Sequence, residues 1–187
     1  MKLRRINDEV FVAEGSIVRF GPDETRFVKE RAATSARRRA RICAHQDSDE
    51  LLHEMLIGVA ADSYIHPHRH TAKVESFHIV EGLVDVVIFD DAGAVRDVVK
   101  LGAGIPDRSF YYRLSESAFH TLLVRTPWLV IHEVTNGPFR KDETVLAAFA
   151  PPEEAPPEVR AAYIRQVDVL ASRFDAGAAA QPIRSGD

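Results

Sequence analysis

One cysteine, Cys43, is all the chain has in 187 residues. An internal disulfide is excluded, and that suits a reducing compartment. No apolar run comes near the roughly 20 residues that a membrane-spanning helix needs. At the start, Met1-Lys2-Leu3-Arg4-Arg5 leads into charged residues rather than the apolar core of a secretion signal. The expectation is a cytoplasmic protein with no membrane partner. Excess charge is also scarce: a net −4 gives no general pull toward nucleic acid. One basic run stands against this, Ser35-Ala36-Arg37-Arg38-Arg39-Ala40-Arg41. It has no interleaved aromatics, so a solvated stretch leading into a strand accounts for it, and no nucleic-acid partner is expected. A further reading is that one or two of these arginines grip an anionic ligand in a bidentate way.

What is present is ordinary in bulk: 45% apolar and 28% charged residues, as in one globular domain with a substantial core. Residues 9–20 suggest two short strands around Gly15, and Asp23 is placed to cap a short helix carrying Phe27, Val28 and Arg31. Strands are expected within Leu51–Tyr64, Leu83–Phe89, Val95–Leu101, around Tyr112, around His120 and over Trp128–Val134. Turns at Asp90-Asp91-Ala92-Gly93, Ser115-Glu116-Ser117 and Arg125-Thr126-Pro127 separate them. Many short strands with frequent turns indicate an all-β barrel or sandwich, able to enclose a ligand-sized interior. The expected organisation is 1–34 as strands and a helix packing on a barrel of 35–149, then a Pro-rich linker at 150–158. An amphipathic helix at 159–174 and a flexible tail at 175–187 complete it. Val159, Tyr163, Val167, Leu170 and Phe174 form the apolar stripe of that last helix, which packs on the barrel or on a second subunit.

Half of the eight histidines lie between His66 and Gly82. His68 and His70 are two apart, so on a strand their imidazoles share a face. Thr71 to Val74 make a tight turn, and Glu75 opens the next strand on the same side as Phe77 and Ile79. Gly82 then stands where a turn is needed. A lone carboxylate among apolar side chains costs on the order of tens of kcal/mol by a Born estimate. A divalent cation removes that cost. Two imidazoles and a carboxylate with open positions suit Fe(II), and also Zn, Mn or Ni.

His68-x-His70, four residues, Glu75, six residues and Gly82 resemble the first motif of the cupin superfamily, with Asp62 standing at that motif's first glycine. The resemblance sets the register, making His66 an extra histidine rather than a ligand. It implies a single jelly-roll cupin barrel (a double-stranded β-helix), here with the N-terminal and C-terminal helices. A second motif supplies a further ligand, matched by His120 in Ser-Ala-Phe-His-Thr-Leu-Leu-Val. Within the cupins the chain is similar to the WbuC family of metalloproteins. The matching features are Ser35–Arg41 with His45, Ser63-Tyr64, Pro67-His68-Arg69-His70, Glu75–Gly82, His120 and Glu133-Val134-x-x-Gly137-Pro138-Phe139. This implies one divalent transition metal ion per chain (Fe, Zn, Ni or Mn) on His68, His70, Glu75 and His120, and a homodimer.

The functional expectation is a metal-dependent enzyme, an isomerase, lyase or oxygenase of cupin type. Its substrate would be a small polar molecule, a sugar or sugar nucleotide in surface-polysaccharide metabolism. Arg39, His45, Tyr64 and Lys73 are the candidate substrate contacts. The alternative is a binding protein that holds a small molecule through its metal without turnover. A metal-free epimerase with a His base and a Tyr acid does not need His-x-His plus Glu. His78 and His132 are expected to have structural or surface roles.

Overall fold

Runs of β-branched and apolar residues broken by Gly, Asp and Ser turns produce twelve strands among the described residues, which in the computed structural model are 1–179. In order they are β1 Leu3–Arg5, β2 Val10–Ala13, β3 Arg39–Cys43, β4 Leu52–Ala60, β5 His68–His70 and β6 Glu75–Glu81. They continue as β7 Leu83–Phe89, β8 Val95–Gly102, β9 Tyr111–Leu114, β10 Phe119–Val124, β11 Trp128–Asn136 and β12 Thr144–Leu146. Two helices flank them, α1 Pro22–Thr34 and α2 Pro157–Ala179. Seven strands form one sheet in the order β1-β2-β3-β4-β11-β6-β9, and five form the other, β12-β5-β10-β7-β8. All pairings are antiparallel except that of β2 with β3. The result is the expected all-β jelly roll, built as two facing sheets that do not merge into one closed ring.

Alternation sorts the core into layers. On β7, Val84, Val86 and Ile88 point inward and meet Phe77, Ile79, Leu129 and Ile131 of the larger sheet. Val87 and Phe89 point outward and are covered by Val167 and Ala171 of α2. Both faces of β7 are therefore buried, as a continuous apolar run demands. On the other side α1 covers the larger sheet, with Val28 set among Phe11, Ile42, Leu56 and Val130. Gly58 permits that approach, because a Cβ there would lie 2.9 Å from the Val28 backbone.

The ends of the chain depart from the simple reading. Helix α1 starts two residues earlier than Asp23 implies: Gly21 is the cap, Pro22 takes the first position, and the Glu24 carboxylate accepts the Gly21 N–H at 3.0 Å. A proline's fixed φ and missing N–H explain that start. No strand forms over residues 16–20, where Ile17 is 74% exposed. Helix α2 packs on its own sheet, through a face centred on Val167 and Ala171 with Tyr163 and Ile164 beside them. The small Ala171 lets the helix come close, whereas Val159 from the expected stripe is exposed. The helix runs through Ala179; of the tail expected at 175–187, residues 180–187 lie outside the described residues. No helix among the described residues is long and apolar enough to cross a membrane.

Gly82 turns the chain from β6 into β7 with a φ of +89°, and a Cβ there would stand 2.2 Å from the Trp128 carbonyl oxygen. Gly82→Ala therefore meets both strain and a backbone clash. The strain alone is worth about 1–3 kcal/mol. A thermal melt should show the variant less stable by about 2–4 °C for each kcal/mol lost.

Candidate metal centre

Strand alternation brings the histidines together. On β5, His68 and His70 point inward, while Arg69 points out, pairs with Asp91 at 2.7 Å and lies 4.6 Å from the Phe119 ring. Strand β10 pairs with β5 at His120 opposite His68. Ligand atoms of His68, His70 and His120 lie within 4.8 Å of one another, close enough to hold one metal ion. Glu75, at the start of β6, comes from the opposite sheet. Its Oε1 is 2.9 Å from His120 Nε2, and its Oε2 is 3.5 Å from His70 Nε2.

The ring orientations are set from behind. His68 Nδ1 meets the His66 carbonyl at 2.8 Å, and His120 Nδ1 meets the Ala118 carbonyl at 3.1 Å. A carbonyl only accepts, so both Nδ1 atoms carry the proton and leave Nε2 with a lone pair. His70 Nδ1 is held by the Thr144 hydroxyl of β12 at 3.2 Å. Glu75 is 4% exposed, and apart from His120 Nε2 at 2.9 Å its Oε1 has no hydrogen-bond partner. Three imidazoles thus converge on one space, and the Glu75 carboxylate borders it, closest to His120. Imidazole nitrogens with a carboxylate beside them are a donor set that a divalent transition metal ion accepts.

Electrostatics point the same way. Burial, then the His120 charge, push the His68 imidazole down to about 3. Burial works to lower His120 too, but the Glu75 charge outweighs it and holds His120 above its ordinary value. Burial would raise Glu75, but the His120 charge prevails and keeps the carboxyl well below the usual range. Without an ion, a raised His120 gives stability that is complete below its unfolded value near 6.5 and is lost as pH rises. A depressed Glu75 gives stability that is present above about 4.3 and is lost as pH falls. The pair alone therefore serves best between about pH 5 and 6.5. An ion replaces the shared proton, so the gain in melting temperature on metal loading should grow from about pH 6 to about pH 8. Paired melts with and without chelator check this; a gain that is flat or falls with pH removes His120 from the ligand set.

These groups line one cavity of about 770 Å³ between the sheets. Of the expected contacts, Arg39, His45 and Lys73 line it as well. Arg39 donates to Glu153 at 2.8 Å, and Lys73 Nζ lies 4.8 Å from the Phe139 ring. His45 stacks on His53 with ring centroids 4.1 Å apart, and burial followed by the His53 charge lowers its pKa. Tyr64 is elsewhere: it does not line the cavity, and its hydroxyl donates to the Pro151 carbonyl at 2.6 Å. Pro-rich chain packed over the ring claims the hydroxyl that a substrate was expected to use. His66 lines the cavity with Nε2 against the Ala147 carbonyl at 3.0 Å, and so is engaged away from the cluster. His78 and His132 are opposite each other across β6 and β11, with rings 6.0 Å apart, and neither lines the cavity.

Other lining groups were not singled out as contacts from sequence. Glu133, His53 and Thr135 face the cavity from β11 and β4. Burial, then the Glu75 charge, push the Glu133 carboxyl up to about 7. Seven buried side-chain polar atoms among the described residues have no hydrogen-bond partner, and four of them line this cavity: His53 Nε2, His66 Nδ1, Glu75 Oε1 and Thr135 Oγ1. Buried polar atoms are normally satisfied, so this concentration marks a place for polar ligand atoms or water. Only the pairing register, which sets His53 opposite Thr135 and Thr135 opposite Glu75, brings them together.

A family model described as a domain of unknown function (DUF6016) matches residues 23–101, which include His68, His70 and Glu75 and stop short of His120. No curated protein matches the chain. Among solved structures, a protein from Shewanella oneidensis is 14% identical with a TM-score of 0.49, over 68% of this chain and 79% of that one. An L-ribose isomerase from Cellulomonas parahominis is 16% identical with a TM-score of 0.46, over 59% of this chain and 69% of that one. A cupin domain from Schizosaccharomyces pombe is 7% identical with a TM-score of 0.41, over 52% of this chain and 64% of that one.

Proposed function

We propose that this chain is a metal-binding cupin of the WbuC type, and that it works as a metal-dependent enzyme on a small polar substrate. The class we favour is a sugar or sugar nucleotide, in surface-polysaccharide metabolism. One divalent transition metal ion per chain would sit on His68, His70, Glu75 and His120. The observation that carries this reading is the convergence of three imidazoles inside a cavity, with the buried Glu75 carboxylate beside two of them. When bound, such an ion supplies Lewis-acid polarisation of a carbonyl, or an activated water near neutral pH.

The chain's own residues do the rest. Glu75 supplies negative charge and joins the two sheets at the site. The His66 and Ala118 carbonyls keep Nε2 of His68 and His120 aimed inward. His53, His66 and Thr135 offer unpaired polar atoms to hydroxyls of a polyol-like ligand. Glu133, with its carboxyl held near neutrality, is placed to accept or return a proton inside the cavity. The assembly we propose is a homodimer, as the family resemblance implies, and the single cysteine supports a cytoplasmic location.

The test has two stages. Metal analysis of protein purified without a polyhistidine tag should give about one ion per chain; an empty, unreconstitutable protein overturns the reading. A sugar-nucleotide panel is then assayed with wild type and Glu75→Gln. Turnover lost in Glu75→Gln supports an enzyme, while binding without turnover by wild type assigns a metal-anchored binding protein instead.

A further inference from the structure

The cavity has a second chemical pole, made of arginine. Arg37, Arg39 and Arg41 all line it, and alternation puts Arg39 and Arg41 on one face of β3. Glu9 and Glu153 are the carboxylates paired with Arg37 and Arg39. Arg37 pairs with Glu9 through Nε at 2.7 Å. Arg39 Nη2 donates to Glu153 Oε1 at 2.8 Å, and Arg37 Nη1 lies 3.8 Å from the same carboxylate. Arg37 and Arg39 thus share Glu9 and Glu153, while the acidic group that feels Arg41 is Glu133 on β11. Burial, then the Arg37 charge, pull the Arg39 pKa down, so another anion there would be favoured.

Glu153 differs from Glu9 in where it comes from. It belongs to no strand or helix but to the segment between β12 and α2. Tyr64 holds that segment by its bond to the Pro151 carbonyl, two residues before Glu153. The carboxylate thus reaches the arginines on a short irregular stretch, and its side chain is 31% exposed. The two poles are separated along the sheet. Arg41 pairs with Ile57 on β4, whereas the row through Thr135 and Glu75 crosses β4 at His53. Four residues of strand are about 13 Å, so a ligand touching both poles is elongated.

We propose that Arg39 and Arg41 form an oxyanion subsite of the cavity, for a phosphate or carboxylate on the ligand, which Glu153 fills in cis until the ligand displaces it. This rests on the cavity being a ligand site, as proposed above, but not on the metal. Planar guanidiniums suit either group. Titration calorimetry on the full chain, with chelator present throughout, uses inorganic phosphate in one arm and acetate in the other. Saturable binding of phosphate alone assigns a phosphoryl group, and of acetate alone a carboxylate; either supports the subsite. Arg39→Gln and Arg41→Gln should each weaken binding about tenfold. Glu153→Gln should tighten it about threefold or more, because the competing carboxylate is gone. A Glu153 that merely braces the fold would leave affinity unchanged or weaker, and that result overturns the proposal. So does binding to neither wild type nor Glu153→Gln, or binding unaltered in both arginine variants. Because the ion is removed in every arm, an error in the metal reading leaves these outcomes readable.

Discussion

Replacing His120 with alanine is expected to strip the protein of its metal. The side chain is 2% exposed, and its ring is fixed on one side by Ala118 and met on the other by Glu75. Loss of a group that only orients a metal ligand costs about 10–100-fold in affinity. Loss of the ligand itself should exceed about 100-fold, since Glu75 is then left facing two imidazoles across a hole. His68→Ala should do the same. His66→Ala is the informative control: its Nε2 is taken by Ala147, so metal retention should stay at the wild-type level. Competition with a coloured chelator measures all three, and a cooperative melt of each metal-free variant shows that it has folded. Wild-type retention in both His68→Ala and His120→Ala would move the site elsewhere.

The second large effect lies outside the cavity. Asp85 is 4% exposed on β7 and joins three parts of the fold. Its carboxylate accepts from Arg108 Nη1 at 2.9 Å and from Arg125 Nε at 2.6 Å. Arg125 continues to Asp168 of α2 at 2.6 Å. Asp85→Ala removes the one carboxylate that both guanidiniums share. Breaking a buried pair from one side costs about 3–5 kcal/mol, and the low end, about 3 kcal/mol, applies here because Arg125 keeps Asp168 and Arg108 keeps the Val84 and Leu101 carbonyls. The melting temperature should fall by about 10 °C for a chain of this length. Asp168→Ala, at the exposed end of the same chain of bonds, should cost less than about 1 kcal/mol. If the two variants melt alike, the network is not centred on Asp85.

How far the residues declared this in advance depends on the distance over which they act. The approach of His68 and His70 to Glu75 is legible because it is local: a period of two, a four-residue turn and another strand. Gly82 was legible for the same reason, since its positive φ ends the strand that Glu75 begins. His120 was not legible from spacing and came only through the second motif, because it meets His68 by a pairing across the smaller sheet. His53, Thr135 and Glu133 stayed hidden because register between β4, β6 and β11 assembles them. Tyr64 was singled out as a substrate contact, yet a tyrosine hydroxyl takes whatever acceptor packs over it, and here that is Pro151. The start of α1 moved because Pro22 fixes its own φ and Asp23 does not.

Glu75 hangs from the seven-stranded sheet, while the three imidazoles hang from the five-stranded one. An ion gripped by all four is a rivet through both plates of the sandwich. The plates cannot part without tearing it out, so loading should slow the global opening of the molecule more than it raises the midpoint of a melt. Amide protons of β4 and β7, far apart in the chain, would then gain protection in step.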